Sequence, residues 1–572
     1  MIPKLLRILP LVGLLAACGE EPAKPRNALL AFVPADTSYA FVISRPLPDG
    51  LRDRLAEYYA LQLSSQRAAV ASLNEQLGAA EETAPMAEQA RRLFQVLDAL
   101  FVEFEGRTTA AALREIGIEP VPRSVLYGIG PLPAVRVEIA DADRFNALLD
   151  RVEQRAGVGA ERAELNGQAY RRIDLGQIDA VLAVTQGYAV AGLLTDALFE
   201  RDLPLLLGQQ LPADNLADSG AIEALIERHR FTGHGEGFVK LDEMVATALG
   251  KGRGRNAEVM RALGATPLPV SDGCMRMTET LVAGMPRMVI GVTEANEKRL
   301  ATRGIWETTP PVAAYLQRLA APVPGVGAAY SGLVALGMGL ELPQVRNAID
   351  ALLRQVIAAG SACEWVDPDS LQAIIPQLNL ALGPMTAGIK GFNLQIEDLT
   401  IDLDGLQPAD VRAGLLASVD DPRGIFALGA MFNPALASLE IPDDGAFIDL
   451  PADMGLDAKT PPLKVAIRDK ALVLLAGADS VDRAEPLLNA ATLDPAPLFA
   501  VDYGVYQLVD RLGGLLEQAA VQLTVQGEDE MAQGLREQLA DLRTQAALFD
   551  RLRVILYASA EGLVVDQVME LR

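Results

Sequence analysis

Histidine is nearly missing from this sequence, with two residues in 572. There are three cysteines and two tryptophans, and aromatic residues make up only 5%. So little imidazole and thiol excludes most His-based catalysis and most Cys/His metal sites. Scarce aromatics count against carbohydrate recognition by ring stacking. Basic charge is in deficit too: Lys and Arg number 50 against 75 Asp and Glu, a net charge of −25. A nucleic-acid surface needs the opposite sign, so no nucleic-acid partner is expected. No clean apolar run reaches the roughly 20 residues that span a bilayer. The nearest approaches, 320–340 and 370–389, hold Pro322 and Pro324 in one and Gln372, Pro376 and Gln377 in the other. They read as linker plus strand and as helix plus loop. The ten-residue alternation of an outer-membrane barrel is also missing. What is present is ample core material: 50% hydrophobic residues and 22% charged, which excludes disorder.

The N-terminus is an address. Lys4 and Arg7 precede an apolar run from Ile8 to Ala17, ending Leu15-Ala16-Ala17-Cys18-Gly19. A basic region, a short apolar region and a small-residue cleavage site make a secretory signal. The segment resembles the lipobox of bacterial lipoproteins. That resemblance implies cleavage before Cys18, a diacylglyceryl thioether on its sulfur and acylation of its new amine. Two or three chains give stable anchoring. In Gram-negative lipoproteins an Asp after the cysteine resembles an inner-membrane retention signal; Gly19 stands there and favours the outer membrane, periplasmic face. The expected partner is thus the membrane, through acyl chains on Cys18.

The body repeats a plan. A turn at Pro34-Ala35-Asp36-Thr37 precedes a strand at Tyr39–Ile43, then a helical stretch from Asp49 to about Gly106. Hairpins are read at Val125–Ile129 with Val135–Ile139, at Asn166-Gly167 and at Gln186-Gly187. Ala328–Val334, a helix at Leu342–Ala359, strands Phe392–Ile396 and Leu399–Leu403, and a final pair Arg553–Ala558 and Leu563–Met569 repeat that order. An offset of about 260–290 residues predicts a tandem duplication. The expected fold class is α+β: two tandem related halves, each of antiparallel hairpins packed on amphipathic helices. The expected division is 1–17 signal peptide, 18–27 lipidated anchor and linker, 28–324 first half and 325–572 second half. The Pro-Ala-Asp-Thr opening resembles uncharacterised secreted bacterial proteins; no site residue carries over.

Export makes Cys274 and Cys363 an expected disulfide, closing an 89-residue loop and clamping the halves. His229 and His234 are five apart, off one helix face, and read as surface or loop residues. Ser331, in Ala329-Tyr330-Ser331-Gly332-Leu333, lacks the first glycine of a nucleophile elbow. Glu364-Trp365-Val366-Asp367-Pro368-Asp369, Asp443-Asp444 and Asp141-Ala142-Asp143 read as helix and turn caps rather than calcium ligands. No catalytic residue, metal or cofactor is assigned. The mean hydropathy of +0.20 is high for an exported body. The expected role is a non-enzymatic binding or scaffold protein of the envelope, touching a protein partner or an apolar ligand. The alternatives are a lipid carrier or sensor with a lined cavity, and an envelope hydrolase using paired carboxylates.

Overall fold

Alternation builds the sheets. Ile178–Thr185 buries every second residue, so one face of that strand meets the core. It turns at Gln186-Gly187, with φ of 52° and 81°, into Tyr188–Thr195. Both central residues are left-handed, the turn whose twist matches paired strands. Asn166-Gly167, at 47° and 82°, does the same one hairpin earlier. Helix Ala142–Ala156 starts where the Asp141 carboxylate accepts the Arg144 amide at 2.9 Å and stops at left-handed Gly157.

The computed structural model describes residues 28–59, 85–107, 109–266, 268, 270–360, 363, 367–384, 386–402, 407–432, 434–450, 462–477 and 480–572. The expected signal peptide, Cys18 and its linker lie outside the described residues, as do Glu364, Trp365 and Val366. The fold is α+β, with antiparallel sheet and helices. The described residues form two compact units: those within 28–269 and 286–302, and those within 270–285 and 303–572.

In the first unit the strands are β1 (Tyr39–Ile43), β2 (Ser124–Ile129), β3 (Leu132–Glu138), β4 (Glu161–Leu165), β5 (Gln168–Asp174), β6 (Ile178–Thr185), β7 (Tyr188–Thr195), β8 (Glu236–Lys240) and β9 (Arg287–Asn296). They lie antiparallel in the order β4-β5-β6-β7-β3-β2-β1-β8-β9. Helix Pro85–Phe104 packs on helix Ala142–Ala156 through Ala99, Phe101, Phe104, Leu148 and Val152. β10 (Arg299–Glu307) crosses the division at Thr302.

The second unit holds β11 (Val334–Gly339), β12 (Ile389–Asp402), β13 (Gln407–Val419), β14 (Ile448–Asp449), β15 (Leu463–Arg468), β16 (Ala471–Ala476), β17 (Pro497–Gly504), β18 (Phe549–Ser559) and β19 (Gly562–Leu571). Their antiparallel order is β14-β15-β16-β13-β12-β11-β17-β18-β19. Val323, Val326, Leu416, Val473 and Leu475 form its core with Ala484 and Leu487 of helix Ala484–Leu488. Helices Val505–Val525 and Asp529–Leu548 pack together as a hairpin, and Glu528, Asp529 and Glu530 at its turn are exposed.

Cys274 and Cys363 are bonded. The expected clamp between halves is corrected: both cysteines belong to the second unit. Helix Asp272–Gly284 carries Cys274 and packs on helix Leu342–Gly360. Two further expectations need correction. The strand expected at Ala328–Val334 starts only at Val334: the Tyr330 amide donates to the Asp502 side chain rather than to a neighbouring strand, and 328–333 form no ladder. Of the two strands expected at Phe392–Ile396 and Leu399–Leu403, the described residues form one strand, β12, carried past Glu397 by a bulge; Leu403 lies outside the described residues.

Candidate functional site

Each unit has a cleft. That of the first unit encloses about 950 Å³. One edge is the turn Pro34-Ala35-Asp36, where the Thr37 amide donates to Pro34 O at 3.2 Å. This turn is tied to the opposite edge, since the Ala35 amide donates to Asp214 O at 3.0 Å. Asn215 caps the short helix Leu216–Ser219 by accepting the Asp218 amide at 3.0 Å. The remaining wall sets ion pairs beside Leu205, Leu211 and Pro212. Arg201, on helix Phe199–Leu207, donates through Nε to Asp202 at 3.1 Å and through Nη1 to Glu258 at 2.8 Å. Arg255, on helix Gly254–Ala262, donates Nη2 to the same Asp202. Asp202 is buried, and burial lifts its carboxyl above the ordinary range against the pull of Arg255 and Arg201.

The cleft of the second unit encloses about 780 Å³. Its floor is the bulge in β12. Ile396 faces Ala413 and Asp398 faces Arg412, so Glu397 is the extra residue. Adjacent strand residues ordinarily point to opposite faces. A bulge re-aims one of them, and here both Glu397 and Asp398 line the cleft. Three guanidiniums meet these two carboxylates. Arg412, across the hairpin, stands 3.4 Å from Glu397 and 3.3 Å from Asp398. Arg483, closing the turn Ser480–Arg483, reaches Glu397 at 3.4 Å and donates Nη2 to Ala476 O at 3.0 Å. Arg511, on helix Val505–Val525, lies 3.1 Å from Asp398. The segment Tyr330–Leu333 forms the far rim. It is pinned by Asp502, which accepts the Tyr330 amide at 3.1 Å, and by Arg551, which bonds Asp502 at 2.7 Å. Burial pushes the Tyr330 phenol up to about 12, so it stays neutral.

The residues singled out from sequence lie mostly elsewhere. His229 is not a surface residue; it is buried against Phe231, their rings 5.4 Å apart. The ring Nδ1 of His234 sits 3.3 Å from Arg45 O. Asp367 caps helix Pro368–Ala381 by accepting the Asp369 amide at 3.1 Å, and Asp444 accepts the Ala446 amide at 2.9 Å. Ser331, read into a strand, lies on the rim of the second cleft. Asp36 of the Pro-Ala-Asp-Thr turn lines the first. Glu397, Asp398, Arg412, Arg483 and Arg511 were not singled out, although Glu397-Asp398 between two apolar stretches is the one visible mark of that bulge. Among the described residues no group of three His, Cys, Asp or Glu is placed to hold a metal ion, and no helix is long and apolar enough to cross a membrane.

Comparison with known proteins finds no match to this chain among family models, curated proteins or solved structures.

Proposed function

We propose that this chain is a lipid-anchored binding or scaffold protein at the periplasmic face of the outer membrane, and not an enzyme. The observation that carries the reading is the leader ending Leu15-Ala16-Ala17-Cys18. The bond between the two other cysteines supports it, because such bonds persist in oxidising compartments. The body consists of two related halves. Support comes from strand order: β5-β6-β7-β3-β2-β1-β8-β9 in one unit runs as β14-β15-β16-β13-β12-β11-β17-β18 in the other. The clefts sit at matching places in that order. Each lies among the segment before the first strand, a residue just after a hairpin (Arg201, Arg483) and a helix following the next strand (Arg255, Arg511). Their walls mix apolar surface with ion-paired arginines and carboxylates, and that mixture favours a segment of a protein partner over a lipid.

The anchor is tested by palmitate labelling and fractionation of the wild type and Cys18→Ser. The wild type is expected to label and to sediment with outer membranes. Cys18→Ser is expected to be unlabelled and soluble in the periplasm. A labelled Cys18→Ser would overturn the reading. The same soluble body, extracted and analysed by mass spectrometry, is expected to release no stoichiometric lipid; a bound lipid would make it a carrier instead.

A further inference from the structure

Apolar side chains are left uncovered in the cleft of the first unit. Pro34, Leu205, Leu211 and Pro212 all line it, and Leu211 keeps 49% of its surface exposed. A lone exposed leucine needs no account, but apolar side chains gathered in one groove mark a docking surface. The groove is also pre-formed. The Ala35 amide donates to Asp214 O at 3.0 Å and the Leu216 amide to Val33 O at 2.9 Å, so backbone bonds tie its two edges together.

Charge sets what can lie there. Asp36, Asp214, Asp218 and Glu258 line the cleft against Arg201 and Arg255, four carboxylates to two guanidiniums. Neither guanidinium is free. Arg201 is held by Glu258 at 2.8 Å and by Asp202 at 3.1 Å, and Arg255 is bonded to the same Asp202. Among the described residues no cation pairs with Asp36, Asp214 or Asp218, and all three are exposed. Two of them are held in place: the Arg255 amide donates to Asp36 at 3.4 Å, and Asn215 Nδ2 donates to Asp218 at 2.7 Å. Asp36 stands on one edge, Asp214 and Asp218 on the other. A cationic side chain in the groove meets carboxylates from both edges, whereas an anion, a fatty acid included, meets uncompensated negative charge.

We infer that this cleft docks a segment of a protein partner that carries a lysine or arginine next to an apolar residue. The cationic side chain lies beside Asp36, Asp214 and Asp218, and its apolar neighbour packs on Leu211. The inference rests on the reading of the chain as a binding protein, and it deepens that reading by naming the chemistry of the partner.

The test uses the full Cys18→Ser body, labelled at its leucine methyl groups, and NMR titration with three peptides: N-acetyl-Leu-Lys-Leu amide, N-acetyl-Leu-Gln-Leu amide and N-acetyl-Gly-Lys-Gly amide. The first is expected to bind and to shift the Leu211 methyl signals, which Leu211→Ser identifies. The second lacks the charge and the third lacks the apolar contact, and each is expected to bind several-fold more weakly. Asp36→Asn with Asp214→Asn is expected to weaken the first peptide roughly threefold to tenfold, and added salt acts in the same direction. Glu528→Gln with Glu530→Gln removes the same charge from the exposed helix turn of the second unit and is expected to leave binding unchanged. Each variant is checked by near-UV circular dichroism. The inference is overturned if the lysine peptide does not bind, if either control peptide binds as well, or if the Glu528 and Glu530 variant loses as much as the cleft variant. It is overturned too if the body is a dimer that Leu211→Ser dissociates, which would seat a second copy in the groove. None of those outcomes touches the Cys18 anchor, which is read separately by labelling.

Discussion

Glu236 shows how one buried side chain makes stability depend on pH. It sits in β8 with almost no exposure and accepts the Gly233 amide at 2.7 Å. Burial pushes its carboxyl up to about 7, and the amides of Gly233, Gly235 and His234 only partly resist. The folded state therefore holds a proton that an unfolded chain, with a value near 4.5, releases earlier. Below the unfolded value both states are protonated and the fold bears no penalty. As pH rises from about 4.5 to about 7 the fold is progressively destabilised, and above that the loss is complete. Its upper bound is about 3 kcal/mol. Glu236→Gln keeps an acceptor for Gly233 without an ionisable proton. Urea midpoints of the variant are expected to exceed the wild type at pH 8 and to match it at pH 4.5. Equal gains at both pH values would mean that Glu236 does not ionise in the fold.

Between elements, the informative contact is Glu103. It is buried near the end of helix Pro85–Phe104 and binds two arginines of helix Ala142–Ala156, Arg151 at 2.9 Å and Arg155 at 3.0 Å. Burial alone would raise its carboxyl, but the bonds to Arg151 and Arg155 win and hold it below the ordinary range. Its stabilisation is present above the unfolded value and is lost as pH falls through the folded one. Glu103→Gln removes the negative charge and one of the two acceptor oxygens that Arg151 and Arg155 share. The expected loss is about 1–3 kcal/mol at pH 7, read from urea unfolding, and it should shrink at acid pH. At this scale the sequence was most readable where local chemistry dictates geometry. Asn166-Gly167 and Gln186-Gly187 turn where their left-handed preference puts them, and Asp141 caps its helix. β12 was misread because Glu397-Asp398 breaks an apolar run as a turn would. Only the pairing with β13 keeps the strand continuous through the bulge. The cleft stayed hidden for that reason: its arginines lie far apart in sequence, and the fold alone brings them to Glu397 and Asp398.

For the whole chain, the division into units follows cross-links rather than sequence order. Reading the halves as 28–324 and 325–572 rests on a linear offset. Helix Asp272–Gly284 departs from it, because Cys274 is bonded to Cys363 and the helix packs on Leu342–Gly360. The bond closes an 89-residue loop. Chain entropy gives such a loop about 4–5 kcal/mol, less any enthalpic cost. Because both cysteines lie in one unit, that contribution belongs to one unit. Calorimetry is therefore expected to show two transitions, one for each core. Glu103→Gln lowers the transition of the first unit and so identifies it. Cys274→Ser with Cys363→Ser is expected to lower only the other transition. If the double serine variant moved both transitions equally, or moved the one that Glu103→Gln moves, the bond would be acting across the chain, and the clamp between halves would be restored.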